Sequence, residues 1–523
     1  MKQRIQLDGD SLTLREVWLV AHGDGEVELA PHARSKVAQR RHFVDEIVRR
    51  GDVVYGVTTG FGKLSEMSIP LDRLSELQIN VVRSHAAGVG ALLPEREVRA
   101  MMLLRANVIA KGFSGARADL IDLLAAMLNA GLYPEVPEQG SVGASGDLAP
   151  LAHLALTLIG EGVLRRGENA GAAAAMLESA ALAPVVLQPK EGITLINGTQ
   201  AHTAVAAVAL MDIQRLWRVA HAAGAMSLEG LMGTPDAFDE RIHRARGQIG
   251  QQRSAALLRR LLADSEMRES HRSGDPRVQD AYALRCMPQV HGPVLDAMQF
   301  AEGLVSRELN AATDNPLVFD DGTLMSGGNF HGQAVALALD VLAIAMTNLA
   351  TISERRTDRL VHPDFNQGLP AFLSPEAGVN SGFMMAQVTA ASLASECKVL
   401  SHPASVDTIP TDGNKEDVVP MAMGAAWKLR RIVNNVAHVL AIELMCGAQA
   451  IDFRAPLQPA KRVARLHAHV RELVPHLERD RVLSDDIVTL RTAIGNGTFD
   501  DVTQFDDEPS AAASSSSSSS MFV

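Results

Sequence analysis

The sequence predicts a mainly α protein, with small strands among its first residues. Three observations carry this expectation. Aromatic residues make up only 4% of the 523 residues against 47% hydrophobic. An Ala- and Leu-rich chain of that kind suits helices packed through small side chains better than a β-sandwich. Long stretches repeat apolar residues at helical spacing. Residues 1–30, by contrast, alternate apolar and polar positions in short pieces, with Ile5 and Leu7, then Val27 and Leu29, as small strands do.

From Pro31 the spacing changes. Val37, Phe43, Val44, Ile47 and Val48 recur at helical intervals, which predicts a helix ending near Gly51. Residues 52–65 are Gly-rich and loop-like. Beyond them the pattern predicts helices over 72–88, 95–111, 116–130, 148–164, 198–230, 287–311, 331–360, 382–399, 418–450 and 457–475. The run from Ala334 to Ile352 approaches membrane-span length, interrupted among charged residues only by Asp340. Without further spans, basic flanks or an aromatic belt it reads as a buried bundle helix, and no membrane is expected. The seven serines at Ser514–Ser520 cannot bury enough surface to offset their ordering entropy, so a disordered tail over 506–523 is expected. Length alone suggests about three domains.

A net charge of −12 argues against a general nucleic-acid binder, which shows a basic face. Three widely spaced cysteines, Cys286, Cys397 and Cys446, form no CxxC pair and no even-numbered framework. That is a reduced, cytoplasmic pattern. The N-terminal stretch has no apolar core of a signal peptide. Seventeen histidines are present, but no HExxH or Cys/His cluster at ligand spacing, so no metal is expected.

The most informative stretch is GSVGASGDLAP, Gly140–Pro150. In a strained Ala144-Ser145-Gly146 loop, the Gly146 amide nitrogen can attack the Ala144 carbonyl carbon. Gly suits this because it has no Cβ and permits unusual backbone angles. Loss of water from the ring and from the Ser145 side chain leaves 4-methylidene-imidazol-5-one (MIO), a soft electrophile. A helical run begins at once after Asp147, and a helix N-terminus favours negative charge. The tripeptide by itself is common, and a Gly/Ser turn with Asp147 as helix cap and Pro150 in the first turn accounts for it equally.

Its context is more specific. YGVTTGFG (55–62), SHAAGVG (84–90), GSVGASGDLAPLAH (140–153), LINGTQ (195–200), VQDAYALRCMPQV (278–290), DNPLVF (314–319), SGGNFHG (326–332), NSGFMMAQ (380–387) and NKED (414–417) stand in this order. Through them the chain, from about Val53 to about Asp452, resembles the aromatic amino acid lyase family. Ser84-His85, the QDxYxLRCxPQ block and the Glu of NKED look most like its histidine branch.

The resemblance implies a small N-terminal α/β active-site region followed by a long central helical bundle. It divides the chain into an N-terminal region, 1–200, with the MIO-forming loop and a tyrosine loop, a helical region, 201–505, and the tail. It also implies elimination of ammonia from L-histidine to give trans-urocanate, no dissociable cofactor, and a homotetramer with shared active sites. The sister possibilities are a lyase or 2,3-aminomutase acting on tyrosine, phenylalanine or a modified histidine. A protein that keeps the fold for assembly without catalysis is more distant.

Residue by residue, the resemblance makes Tyr55 the base that removes the β-hydrogen. A phenol titrates near pH 10, so a lowered pKa is expected. Read without the motif, Tyr55 is an amphipathic loop tyrosine, and a phosphate loop is ruled out because Lys63 is followed by Leu64. His85 and Glu416 match residues that contact the imidazole. Arg285 matches the residue that binds the substrate carboxylate, and a guanidinium fork suits a carboxylate. Asn197, Gln279 and Tyr282 match residues lining the electrophile, Tyr282 among the catalytic ones. Phe330 matches a residue packed beside it, and Met384 an apolar residue of the histidine branch. Each has a plain alternative as a buried hydrogen-bonding or core residue.

The chain departs from the pattern at Lys415, where the histidine branch usually has Gln, and at Asp412, where Ser is common. Lys415 is expected to pair with Asp412 or Asp417 and point away from substrate. His202 and His291 are further variations.

Overall fold

The computed structural model describes residues 2–504. The expected Ser-rich tail lies outside the described residues. The chain is mainly helical, as the sequence predicts, and divides into two compact units. The first comprises residues 2–211, 297–344 and 400–432, the second residues 212–296, 345–399 and 433–504.

The first unit opens on strands Gln3–Leu7 and Gly25–Leu29, paired in parallel with Ile5 opposite Val27. Parallel neighbours need a crossover, and helix Leu14–Ala21 supplies it. A capping box starts that helix: the Thr13 hydroxyl accepts the Glu16 N–H while Glu16 accepts the Thr13 N–H. Helix Pro31–Arg50 has proline in its first turn and stops where expected, with Gly51 left-handed at φ 73°. Helices Glu95–Ala110 and Ala118–Asn129 pack together behind the site. Glu95–Ala110 is buried almost all round, with Arg105 inside it fully enclosed.

The predicted helix over 148–164 is shorter, Leu148–Leu158. Gly160 at φ 82° ends the helical path, and the apolar residues beyond it enter strand Val163–Arg166 instead. The other predicted helices appear with ends shifted by a few residues, such as Leu74–His85, Gln200–Gly230, Gln333–Val361 and Ala422–Asp452. Gln333–Val361 is the one helix among the described residues long and apolar enough to cross a membrane, and 72% of its most apolar window is buried.

The second unit holds helices Ile249–Leu261, Lys461–Leu473 and Leu483–Asn496, and a polar core. Arg356 Nε and Nη2 meet Glu443 Oε1 and Oε2 at 2.6 and 2.9 Å, both side chains fully enclosed. Ser227 and Ser353 hydroxyls donate to the same two oxygens at 2.8 and 2.6 Å. Both oxygens of the enclosed Glu443 carboxylate are thus engaged. His221 bonds the Trp217 carbonyl and the Ser254 hydroxyl, each at 2.7 Å. Its ring meets His291 edge-on at 4.5 Å. Burial pushes His221 down to about 3 and His291 well below the usual histidine range, which keeps both rings neutral. The variation at His291 is therefore a core feature. All three cysteines are free, and burial pushes the Cys397 thiol up to about 12.

Candidate active site

Ala144-Ser145-Gly146 lies immediately before helix Leu148–Leu158, and its shape follows from two glycines placed back to back. Gly146 has φ 73°, Gly198 has φ 143°, and the two form an isolated parallel bridge. A Cβ on Gly146 would stand 2.1 Å from the Gly198 carbonyl oxygen, so no other residue fits. The Asp147 N–H donates to that same oxygen at 2.7 Å. On the far side, Gly332 N–H donates to Gly143 O at 3.0 Å and Ala422 N–H to Val142 O at 3.3 Å.

Ser145 is gripped at both of its own peptide groups. Its carbonyl oxygen accepts from Asn197 Nδ2 at 2.7 Å. Its N–H donates to Glu416 Oε1 at 3.1 Å, across 271 positions of sequence. Thr411 donates its hydroxyl to the other Glu416 oxygen. Asn197 is in turn set by Arg105, which donates to the carbonyls of Thr194 and Asn197 at 2.6 and 3.1 Å and to the Gln200 side chain.

Asp147 does not cap its own helix, as the plain reading of this turn expected. Its enclosed carboxylate accepts from the Ser141 hydroxyl at 2.8 Å and the His202 N–H at 2.9 Å, and lies 2.8 Å from His202 Nδ1. Burial works to raise its pKa, but the His202 ring and these hydrogen bonds outweigh it and hold the carboxyl below the usual range. His202, a variation in the sequence, is thus part of the loop's foundation.

Tyr55 and His85 are both half-buried. The Tyr55 hydroxyl accepts from Gly62 N–H at 3.4 Å, and its ring meets Phe61 edge-on at 6.5 Å. The lowered pKa expected for Tyr55 is not what its surroundings produce. Burial raises it, the Gly62 bond works against this, and the charges of Asp412 and Glu416 add to the rise. His85 ends helix Leu74–His85, with its Nδ1 3.0 Å from the Ser84 hydroxyl. Burial lowers its pKa, opposed by the same Asp412 and Glu416, so the ring is neutral at pH 7. Glu416 therefore acts on Tyr55, His85 and Ser145 alike.

Asp412 explains itself in the structure. Its carboxylate accepts from Lys63 N–H at 3.3 Å, and a Cβ on Gly62 would come 2.2 Å from it. It fastens the 411–416 loop to the tyrosine loop and does not pair with Lys415, whose side chain is exposed. Phe330 is half-buried in the turn leading to Gly332, beside the anchor on Gly143.

Tyr55, His85, Ala144, Ser145, Gly146, Asn197, Phe330 and Glu416 all belong to the first unit. Gln279, Tyr282, Arg285 and Met384 belong to the second. There Gln279 and Tyr282 are exposed, and the Arg285 guanidinium lies 4.6 Å from the Tyr282 ring centre. The sequence reading gave no role to Ser141, Arg105 or Thr411. Ser141 and Asp147, inside the GSVGASGDLAP motif, and His202, a variation, were the signals for the network beneath the loop.

The profile of the aromatic amino acid lyase family matches residues 12–472. The chain belongs to the aromatic amino acid lyase family. Within that family it is 56% identical over 505 residues to a histidine ammonia-lyase of Anaeromyxobacter sp. (strain K), covering 95% of this chain and 99% of that relative. It is 52% identical to a histidine ammonia-lyase of Koribacter versatilis, covering 94% and 98%. Among solved lyase-family folds, histidine ammonia-lyase from Trypanosoma cruzi superposes with a TM-score of 0.88 at 41% identity, over 96% of this chain and 95% of that one. Tyrosine aminomutase from Streptomyces globisporus gives 0.91 at 35% identity, over 95% and 98%.

Proposed function

We propose that this chain is a histidine ammonia-lyase, removing ammonia from L-histidine to leave trans-urocanate. The observation that carries the proposal is the double grip on Ser145 by Asn197 and Glu416, above a Gly146 pressed onto Gly198. The residues fit the MIO group: a cradle that a single Cβ would fill, a fixed Ser145 peptide, and an unpartnered, enclosed Asn197 Oδ1 beside it. Formed from Ala144, Ser145 and Gly146, MIO supplies an electrophilic carbon that no standard side chain offers.

Around it the chain's own groups divide the work. Asn197 Nδ2 holds the Ser145 carbonyl oxygen, a donor aimed where negative charge gathers on an acyl oxygen. Tyr55 takes the β-proton as its phenolate. His85, neutral, and Glu416 bind the two imidazole nitrogens and select the tautomer. Arg285 takes the carboxylate, Gln279 and Tyr282 orient the amino group, and Phe330 and Met384 give the apolar walls. With Arg285, Tyr282, Gln279 and Met384 supplied by neighbouring copies, the active form is a homotetramer, working in the cytoplasm. The exposed apolar side chains of Val278, Met385, Val406 and Ile409 support such assembly.

The test offers L-histidine, L-phenylalanine and L-tyrosine separately to the purified protein and follows near-ultraviolet absorbance. Urocanate from histidine alone is expected. Cinnamate or coumarate from another substrate would overturn the substrate, and a β-amino acid product would favour an aminomutase, as the fold match to tyrosine aminomutase allows.

A further inference from the structure

His85 is the last residue of its helix, and the chain beyond it fixes where that helix end lies. Ala86 turns the backbone at φ −76° and ψ 62°, and Ala87 N–H donates to the His85 carbonyl at 2.8 Å. This is an inverse γ-turn, a short device with a single bond of its own. Directly after it, Gly88 N–H donates to His153 Nε2 at 3.1 Å. We infer that His153 is a positioning residue for His85: through Gly88 it holds the imidazole-binding segment against the helix that follows the electrophile. This rests on the histidine ammonia-lyase reading above.

Both ends of the electrophile loop grip this segment. Strand Val89–Leu92 pairs antiparallel with Pro137–Gln139, Val89 opposite Gln139, on the way into the loop. His153 stands on helix Leu148–Leu158, on the way out. Between them Gly88 lies on Gly140, where a Cβ on Gly140 would stand 3.1 Å from the Gly88 Cα. A Cβ on Gly88 would come 3.2 Å from His153 Nε2, so the bare glycine lets backbone and ring meet closely. His85's own side-chain partners, the Ser84 hydroxyl and the Val81 carbonyl, belong to its own helix and tie it to nothing else.

The hydrogen bond also fixes the state of the His153 ring. A nitrogen that accepts an N–H carries no proton, so neutral His153 holds its hydrogen on Nδ1. Burial lowers the pKa of this half-buried ring, which keeps it neutral and accepting at pH 7. His153 thus lies inside the GSVGASGDLAPLAH motif for the sake of the arm that crosses it.

The experiment measures urocanate formation by the natural enzyme, His153→Leu, His153→Gln, His85→Ala and the double variant of His85→Ala with His153→Leu. Leucine cannot accept the Gly88 N–H, whereas a glutamine amide oxygen can. His153→Leu should raise KM for L-histidine about tenfold, the scale of one lost hydrogen bond, with kcat within about threefold. His153→Gln should recover most of that difference. On the His85→Ala background, His153→Leu should change KM by less than about twofold, because its effect passes through His85. Circular dichroism reports folding of each variant, and His153→Met gives the same comparison if leucine disturbs the fold. A full tenfold loss on the His85→Ala background, or a fall in kcat with KM unchanged, would overturn the inference and leave the reaction intact. No urocanate from the natural chain would overturn the histidine reading and this inference together.

Discussion

The Asp147 carboxylate stands 2.8 Å from His202 Nδ1, with both side chains fully enclosed. The contact lies directly beneath the tripeptide and ties its exit to helix Gln200–Gly230. Removing one member of such a pair leaves the other's polar atoms stranded. Asp147→Ala should therefore cost about 3–5 kcal/mol in urea unfolding. Because the native pKa of Asp147 is depressed, its contribution is complete above the pKa of an exposed aspartate, about 3.9. It is lost as pH falls through the lower native value. The stability gap between the natural protein and Asp147→Ala should narrow below pH about 4. A gap constant to the most acid pH that keeps the fold would refute the assignment.

Gly146 and Gly131 separate backbone strain from collision. Both are left-handed, at φ 73° and 71°, but nothing lies within 4 Å of a Cβ on Gly131. Gly131→Ala should cost about 1–2 kcal/mol, the conformational term alone. Gly146→Ala must also displace the Gly198 backbone and should lower the melting temperature considerably further. Equal losses would show that the loop yields easily.

Much of this site was legible in the sequence because the family's motifs are local. GSVGASGDLAP, LINGTQ and NKED each contain a residue that touches Ser145 or is part of its loop. The foundation was not legible, since Ser141, Asp147 and His202 meet only through folding, His202 lying 55 positions from Asp147. The Tyr55 pKa was misjudged for the same reason: its direction is set by enclosure and by Asp412 and Glu416, far along the chain. Helix 148–164 was drawn too long because apolar periodicity continues past Gly160 into a strand. Helices Glu240–Arg246 and Ile249–Leu261 escaped notice, the first being short and both rich in charged or polar residues.

Tyr55 should give activity a rising alkaline limb. With the phenolate as the proposed working form and its pKa raised, kcat/KM should climb with pH through the alkaline range. Tyr55→Phe should lose roughly 10²–10⁴-fold in rate. A pH–rate profile of the natural enzyme that is flat between neutrality and pH about 10 would assign the proton to another group.

In the second unit, the Arg356–Glu443 pair makes a prediction about non-additivity. Glu443→Gln should cost about 3–5 kcal/mol, because it leaves a buried guanidinium without its counter-charge. Replacing both by apolar residues, Arg356→Met with Glu443→Leu, should cost less than the sum of the single changes. Urea unfolding of the full double-mutant cycle measures this, and simple additivity would contradict it.

Lys415 is exposed, while its neighbour Glu416 faces Ser145. Lys415→Gln should leave KM for histidine within about twofold, as surface changes away from contacts usually do. A large KM change would place the ammonium in the pocket.

Asp412 closing over Gly62 and Lys63 bears on how this lyase can be redesigned. The segment at 411–416 is shaped by its grip on 55–63, with three left-handed residues in a row at Asp412, Gly413 and Asn414. Grafting a foreign 411–416 segment alone would strand the Lys63 amide and misplace Glu416. A specificity-swapping chimera should carry both segments as one cassette.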